Sequence, residues 1–504
     1  MLMNTNDNNP QNFFTLANEQ YQFILQTLGD SQSRQWEHGE IEQWLQYTGT
    51  ELLRRLYQCH LDLRAGVEKV ETKVIGSEGE VRPHRRKGQK RKLETLFGEV
   101  TVERLGYSNK KPGVTILYPG DGKLNLSEDK YSHGVRKRVA LEAAKVSFQE
   151  TSNTICETTG AKVGKRQCEE LTVKAARDFD EFYAKKPNTE AESSDDLLVL
   201  TMDGKGIIMH SADLREATAK AAQKAGKQTK MRLGPGEKKH RKRMATVGSV
   251  YSIDRHWRTA ESMMGEKSVN KSSAPKPKNK RVWASVKKES PEVIEDVFSE
   301  AISRDSENKR DWVILVDGHK HQLDTIQQIV SIQQLKATII LDFIHVLEYL
   351  WKAGYCLEEP GSEEVEEWVR VRALKILEGK SGDVAKEIKE SATEMKLTSK
   401  HREKVDKCAD YLLKYRDYLC YDQYLRQGYP IATGVIEGAC RHLVNDRMEI
   451  TGARWRLERA EAVLKIRALK ASDDFPEYWQ FHQQEEFNRN HTSKFENPEI
   501  LLAA

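Results

Sequence analysis

The sequence predicts an α/β core built on a mixed sheet, interrupted by an all-α insertion and preceded by a mostly α-helical amino-terminal region. Three observations predict it. Short apolar, β-rich runs dominate residues 197–341, a continuous helical pattern fills about 363–425, and the helical spacing before residue 187 is broken by one β-like stretch around Phe97-Gly98-Glu99. At 504 residues the chain exceeds what one hydrophobic core organises, so several domains are expected. The sequence divides into segments 1–75, 76–130, 131–186, 187–357, 358–427, 428–471 and a polar tail, 472–504.

Residues 1–75 carry Phe23, Ile24, Leu28, Trp44, Leu45, Leu52 and Leu56 at roughly helical spacing, which suits packing or self-association. A basic arm follows, Arg82-Pro-His-Arg85-Arg86-Lys87-Gly-Gln-Lys90-Arg91-Lys92, leading into a β-hairpin over 93–107. From Tyr131 to about Phe182 the pattern is helical again. Ser147-Phe-Gln-Glu150 matches a capping box, Thr158-Thr-Gly160 a turn, and a second helix begins near Gly164 with Lys165 and Arg166. That is the outline of a helix-turn-helix, although plain packing helices share it.

Strand-like runs follow at 197–202, 207–210, 244–252, 282–286, 312–316 and 338–341, with a helix over 291–302. Two insertions interrupt them: 215–243, with eleven Lys or Arg against two Glu, and a Ser/Pro/Lys stretch, 267–281; both are expected to be mobile in the free protein. After the helical stretch, Tyr429-Pro430 breaks the pattern. A helix capped by Thr433 then carries Glu437, and a last helix runs over 456–471.

Composition narrows the function classes. Basic and acidic residues nearly balance, 81 against 77, yet the basic ones are locally clustered. No apolar run has membrane-spanning length and the amino terminus is polar, so a cytoplasmic protein with no membrane partner is expected. The seven cysteines form no Cys-x-x-Cys pair, which argues against a structural zinc site or a disulfide framework.

Two apolar runs end on an aspartate followed by glycine, Leu-Thr-Met-Asp203-Gly and Ile-Leu-Val-Asp317-Gly, and Gly434-Val-Ile-Glu437-Gly places a glutamate in the first turn of a helix. Singly, each has a plain reading: Asp-Gly is a turn signal, and a glutamate at a helix start is favoured by the dipole and can pair with Arg441. Together they suggest more. Strand ends in an open α/β sheet are where sites form, and a carboxylate buried there is costly without a cation. Hard oxygen ligands of this kind hold Mg²⁺ or Mn²⁺, and two such ions drive phosphoryl transfer.

These stretches resemble the DDE transposases of bacterial insertion sequences, within them the ISKra-like group. The resemblance rests on Leu-Thr-Met-Asp203-Gly-Lys-Gly, Val-Asp317-Gly-His319-Lys-His321, Leu341-Asp342-Phe-Ile-His345 and Gly434-Val-Ile-Glu437-Gly-Ala-Cys-Arg441, the last followed by Arg447-Met448 and Thr451-Gly-Ala-Arg454-Trp455, with Thr95-Leu-Phe-Gly-Glu-Val100 upstream. It covers about residues 90–470. It implies a ribonuclease-H-like catalytic core, a metal-binding triad of Asp203, Asp317 and Glu437, an insertion domain between the last two, and an accessory role for Asp342 with His345, although His345 also reads as a capping or core histidine. Asp121-Gly122 lacks a β-run before it and reads as a turn.

The activity so implied is strand cleavage and strand transfer of an insertion sequence with two Mg²⁺ or Mn²⁺ ions. The DNA would include the element's terminal inverted repeats and the target, and joining two ends calls for a homodimer or larger assembly. Phosphate contacts are expected from Arg85, Arg86, Lys90, Arg91, Lys238, Lys239 and Arg241, and groove reading from the helix of Lys165 and Arg166; the basic runs also read as solvated loops. Trp455, beside Arg454, reads either as a base-stacking aromatic or as core. Two rivals remain at this level: a structure-selective nuclease with the same metal chemistry, and a catalytically idle DNA-binding protein.

Overall fold

A computed structural model describes residues 13–186, 195–224, 241–265, 274–432, 434–450 and 452–501. The chain forms two compact units, one of residues 1–185 with 474–504 and one of residues 186–473. The polar tail therefore belongs with the amino-terminal segments, a placement that sequence reading left open.

In the amino-terminal unit, helices Thr15–Gly29 and His38–Gly66 precede a two-stranded antiparallel ribbon of β1 (His84–Thr95) and β2 (Gly98–Ser108). The basic arm is thus no loop leading into a hairpin; it is itself the outer strand. Leu61 of the long helix packs with Leu93, Val100, Val102 and Leu126. The Gln58 amide extends the ladder, donating to the Thr101 carbonyl at 2.9 Å and accepting from its N–H at 2.8 Å. Helices His133–Ala143, Phe148–Thr158 and Lys165–Ala175 share a second core of Val135, Val139, Ile155, Val163, Cys168 and Leu171. Ser147 and Glu150 form the expected capping box. Asp121-Gly122 falls in a short helix, Pro119–Lys123, where Asp121 binds Arg104 at 2.6 Å.

The tail helix, Phe475–Asn490, is held by polar contacts. The Tyr478 hydroxyl donates to the Ala175 carbonyl at 2.7 Å, His482 Nδ1 lies 2.6 Å from Asp178, and Arg136 pairs with Glu486 at 2.7 Å in full burial.

The second unit is a mixed α/β fold. Its sheet has the order β5-β4-β3-β6-β7, from β3 (Leu197–Ile208), β4 (Lys242–Ile253), β5 (Lys278–Ser285), β6 (Trp312–Val316) and β7 (Ala337–Leu341). β3 pairs antiparallel with β4 and β4 with β5, whereas β3–β6 and β6–β7 are parallel. Parallel neighbours need a crossover, and helices Ser290–Arg304 and Lys320–Ile332 supply the two. The second was not anticipated. Nor was the continuity of β3, which fuses two expected strands through Gly204 and Gly206. β6 and the first half of β3 are wholly buried, as strands covered on both faces should be.

The expected insertions resolve only in part. Glu216–Lys224 is helical, and Lys278 to Arg281 belong to β5, while 225–240 and 266–273 lie outside the described residues. The all-α stretch comprises Glu363–Leu377, Ser381–Glu394 and Ser399–Lys414, after a helix Phe343–Leu357 that leaves β7. Among the described residues, no helix is long and apolar enough to cross a membrane.

Candidate active site

Strand alternation decides which way Asp203 points. A Cβ on Gly248, which pairs with Met202, would lie 2.6 Å from Val297, so that face carries the helix Ser290–Arg304. Asp203, the next residue, faces the other side. It is not the abrupt strand end that its sequence suggests, because β3 runs on to Ile208 against β4. It lies instead two residues past the point where β6 stops pairing, the last partners being Thr201 and Leu315.

That register aligns the acidic residues. Two steps beyond Thr201↔Leu315 stand Asp203 and Asp317, and one step beyond Val316↔Leu341 stand Asp317 and Asp342. Continued past its last pairs, that register brings Asp203, Asp317 and Asp342 to one level, Asp317 and Asp342 each standing one residue beyond the end of its strand. The Asp342 N–H still donates to the Val316 carbonyl at 2.8 Å, extending the ladder to that level. Asp317 Oδ1 accepts from the His319 N–H at 2.9 Å, closing an Asx turn. Gly318 has φ +86°, and a Cβ there would stand 3.0 Å from Leu341 Cδ1 and 3.4 Å from the Tyr411 hydroxyl. Here the Asp-Gly pair does make a turn.

The helical insertion buttresses these strand ends. The Tyr411 hydroxyl donates to the Asp317 carbonyl at 3.2 Å, Tyr415 to Gly318 at 2.7 Å and Tyr421 to Leu341 at 2.7 Å. Burial, reinforced by Tyr349 and Asp317, pushes the Tyr411 hydroxyl far above the usual phenol range, so it remains a donor. Tyr349 stacks on Tyr411 at 4.0 Å, and His345 meets Tyr349 edge-on at 6.3 Å. Asp342 caps the helix that carries His345, accepting from the Ile344 N–H at 2.8 Å. The capping role weighed for His345 belongs to Asp342.

Glu437 is exposed on the short helix Gly434–Ala439, which packs on β3 and β4 and continues into a π-helical turn, Cys440–Asn445. The expected cap, Thr433, lies outside the described residues. One turn beyond Glu437, the Cys440 thiol donates to Asp203 Oδ2 at 3.2 Å. Burial, and then the charge of Asp203, push this thiol strongly up, with Glu437 adding to the effect. The same Asp203 oxygen holds the Lys205 ammonium at 3.0 Å, and Oδ1 accepts from the Gly204 N–H at 2.6 Å. Burial works against the Lys205 charge, yet its bond to Asp203, with Cys440 and Glu437 nearby, holds its pKa above the ordinary lysine value.

Asp203, Asp317 and Glu437 are not drawn into one tight cluster. Among the described residues, the group whose ligand atoms all lie within 4.8 Å of one another is Asp178, His482 and Glu486, in the amino-terminal unit. Arg136 and Arg489 already pair with those two carboxylates, so that group reads as a buried ion network. Two ions set about 3.5–4 Å apart need a wider donor set than one such cluster.

The basic residues divide. Arg85, Arg86 and Lys90 are exposed on β1, whereas Arg91 turns inward and bonds the carbonyls of Ser127, Glu128 and Asp129. Lys165 and Arg166 are exposed at the start of their helix, Arg166 pairing with Glu170 at 2.9 Å. Lys238 and Lys239 lie outside the described residues. Arg241 is buried and Arg454 exposed. Trp455 is core: it is 5% exposed, its indole N–H donates to Met448 at 3.1 Å, and Arg447 stacks on it at 4.7 Å. That burial leaves no face for a base.

Lys205, Cys440 and the three tyrosines escaped sequence reading. Lys205 had a signal, since i and i+2 share a strand face, but only once β3 is known to continue past Gly204. No family model matches the chain, and no curated protein matches it.

Proposed function

We propose that the chain is a metal-dependent polynucleotidyl transferase, a DDE transposase that cleaves and joins DNA strands at the ends of an insertion sequence, with the mixed sheet serving as a ribonuclease-H-like core. The observation that carries this reading is the parallel register of β3 and β6, which, continued two residues past its last pair, brings Asp203 level with Asp317, with the Glu437 helix tied to Asp203 through Cys440. The donor set suits Mg²⁺ or Mn²⁺: hard carboxylate oxygens, one of which already holds a cation, the Lys205 ammonium. When bound, two such ions would activate the attacking oxygen and stabilise the leaving one.

The protein's own contribution is placement. Asp203 and Asp317 would hold the ions from the sheet, Glu437 from the helix above it, while Tyr411 and Tyr415 fix the Asp317-Gly318 turn. Asp342 stands at the same level and can orient the neighbouring groups. DNA would be held by the exposed cations of the β1/β2 ribbon, a shape that a major groove admits, and by Lys165 and Arg166. Strand joining implies two or more copies on paired DNA ends.

The test uses labelled duplexes drawn from either side of the gene, with Mg²⁺ or Mn²⁺. Wild type should cleave them and transfer the 3′ end to target DNA; Asp203→Ala, Asp317→Ala and Glu437→Ala should each lose at least ~10³-fold in rate, the scale of removing a principal catalytic group. Cleavage without transfer would leave a nuclease. Full activity in all three variants would defeat the site.

A further inference from the structure

We propose that Lys205 is a resident counter-cation of the carboxylate site, which occupies Asp203 until divalent ions displace it; the inference rests on the metal reading given above. Asp203 has no free oxygen in this structure. Oδ1 accepts from the Gly204 N–H at 2.6 Å, and Oδ2 accepts from Lys205 Nζ at 3.0 Å and from Cys440 Sγ at 3.2 Å. Lys205 reaches it because residues two apart on β3 share a face, and β3 continues straight through both.

An ion approaching Oδ2 therefore meets an ammonium already there. Both cannot hold the same oxygen closely, because like charges repel and the site is partly desolvated. The Lys205 side chain is 39% exposed, so its head has solvent to move into on a flexible stem. Without ions the ammonium offsets the mutual repulsion of Asp203 and Glu437, whose charges both reach it. The cost is competition: the site loads at a higher ion concentration than its carboxylates alone would need.

Mn²⁺ titration of the full-length protein, followed by calorimetry or by the free-Mn²⁺ paramagnetic resonance signal, tests this without reference to activity. Wild type is compared with Lys205→Met, Lys205→Arg and Asp203→Ala at pH 7.5, each checked for folding by thermal melting. Lys205→Met should bind Mn²⁺ about two- to five-fold more tightly than wild type, the range of a partly exposed ion pair. Lys205→Arg, which keeps the charge, should stay near wild type. Equal or weaker binding by Lys205→Met, with Asp203-dependent binding intact in wild type, overturns the role of Lys205 alone. Absence of Asp203-dependent binding in wild type overturns the metal reading and this inference together.

Discussion

Gly318→Ala and Gly204→Ala change the same dipeptide, Asp-Gly, and should have opposite effects. Gly318 has φ +86°, where an L side chain is strained by about 1–3 kcal/mol. The added methyl also presses to 3.0 Å from Leu341 Cδ1 and 3.4 Å from the Tyr411 hydroxyl, so the turn must shift or the tyrosine must let go. Gly204 sits in extended β3 and has no such φ; its added methyl would meet the Met244 Cε at 3.3 Å, the end of a flexible, half-exposed side chain. Alanine there should be neutral or gain up to about 1 kcal/mol by restricting the unfolded chain. Urea denaturation gives both free energies, and cleavage kinetics give the rest. Gly318→Ala should also lose activity out of proportion to its stability, since a displacement of about 1 Å at Asp317 is worth up to ~10²-fold. If Gly318→Ala is as stable as wild type, or Gly204→Ala costs as much, the distinction drawn between turn and strand is mistaken.

Two further outcomes concern the amino-terminal unit. Burial works to raise the Glu486 carboxyl, but Arg136, with His482 and Arg489, outweighs it and holds the value at about 2 against an ordinary 4.5. A depressed carboxylate contributes stability that is fully present above 4.5 and is lost as pH falls toward 2. Glu486→Gln should flatten that acid limb and cost about 3 kcal/mol or more near neutral pH, because it strands a buried Arg136; denaturation curves from pH 7 to 2.5 would reveal an unchanged slope if the pair is idle. Replacing Arg85, Arg86 and Lys87 by alanine should weaken duplex DNA binding uniformly across sequences and lower the log–log salt slope by about 0.9 for each phosphate contact removed. An unchanged slope in fluorescence anisotropy would take the ribbon out of the interface.

How far the sequence discloses this architecture depends on what each element buries. β6 and the start of β3 are legible because both faces are covered and the runs are apolar throughout. The capping box at Ser147 is legible because its chemistry is local. The tail helix is not, since its buried positions include Tyr478, His482, Glu486 and Asn490 at intervals of four, three of them polar. A search for apolar periodicity passes over such a helix, whose partners Asp178 and Arg136 stand some three hundred residues earlier. The crossover helix Lys320–Ile332 shows Leu323 and Ile326 at helical spacing and follows from the parallel pairing, but only after that pairing is known. Trp455 could not be assigned from its arginine neighbours, because stacking on Arg447 and stacking on a base call for the same residue types.

The candidate site depends on register more than on any single contact. Asp203 comes level with Asp317 because β3 and β6 pair with a fixed offset up to two residues before them, and a slip of one residue would bring Met202 to that level and turn Asp203 to the face occupied by Val297. The Asp317 side is pinned by Gly318 and the Tyr411 and Tyr415 hydroxyls. On the Asp203 side, the register is fixed by twelve consecutive pairs with β4. Among the described residues Glu437 has no comparable anchor of its own; its place follows from Cys440, one turn away, on Asp203. Under the proposed function, in which the site closes around ions and DNA, a weaker hold on the third carboxylate is an expected feature, because an element that must move cannot also be the most tightly packed.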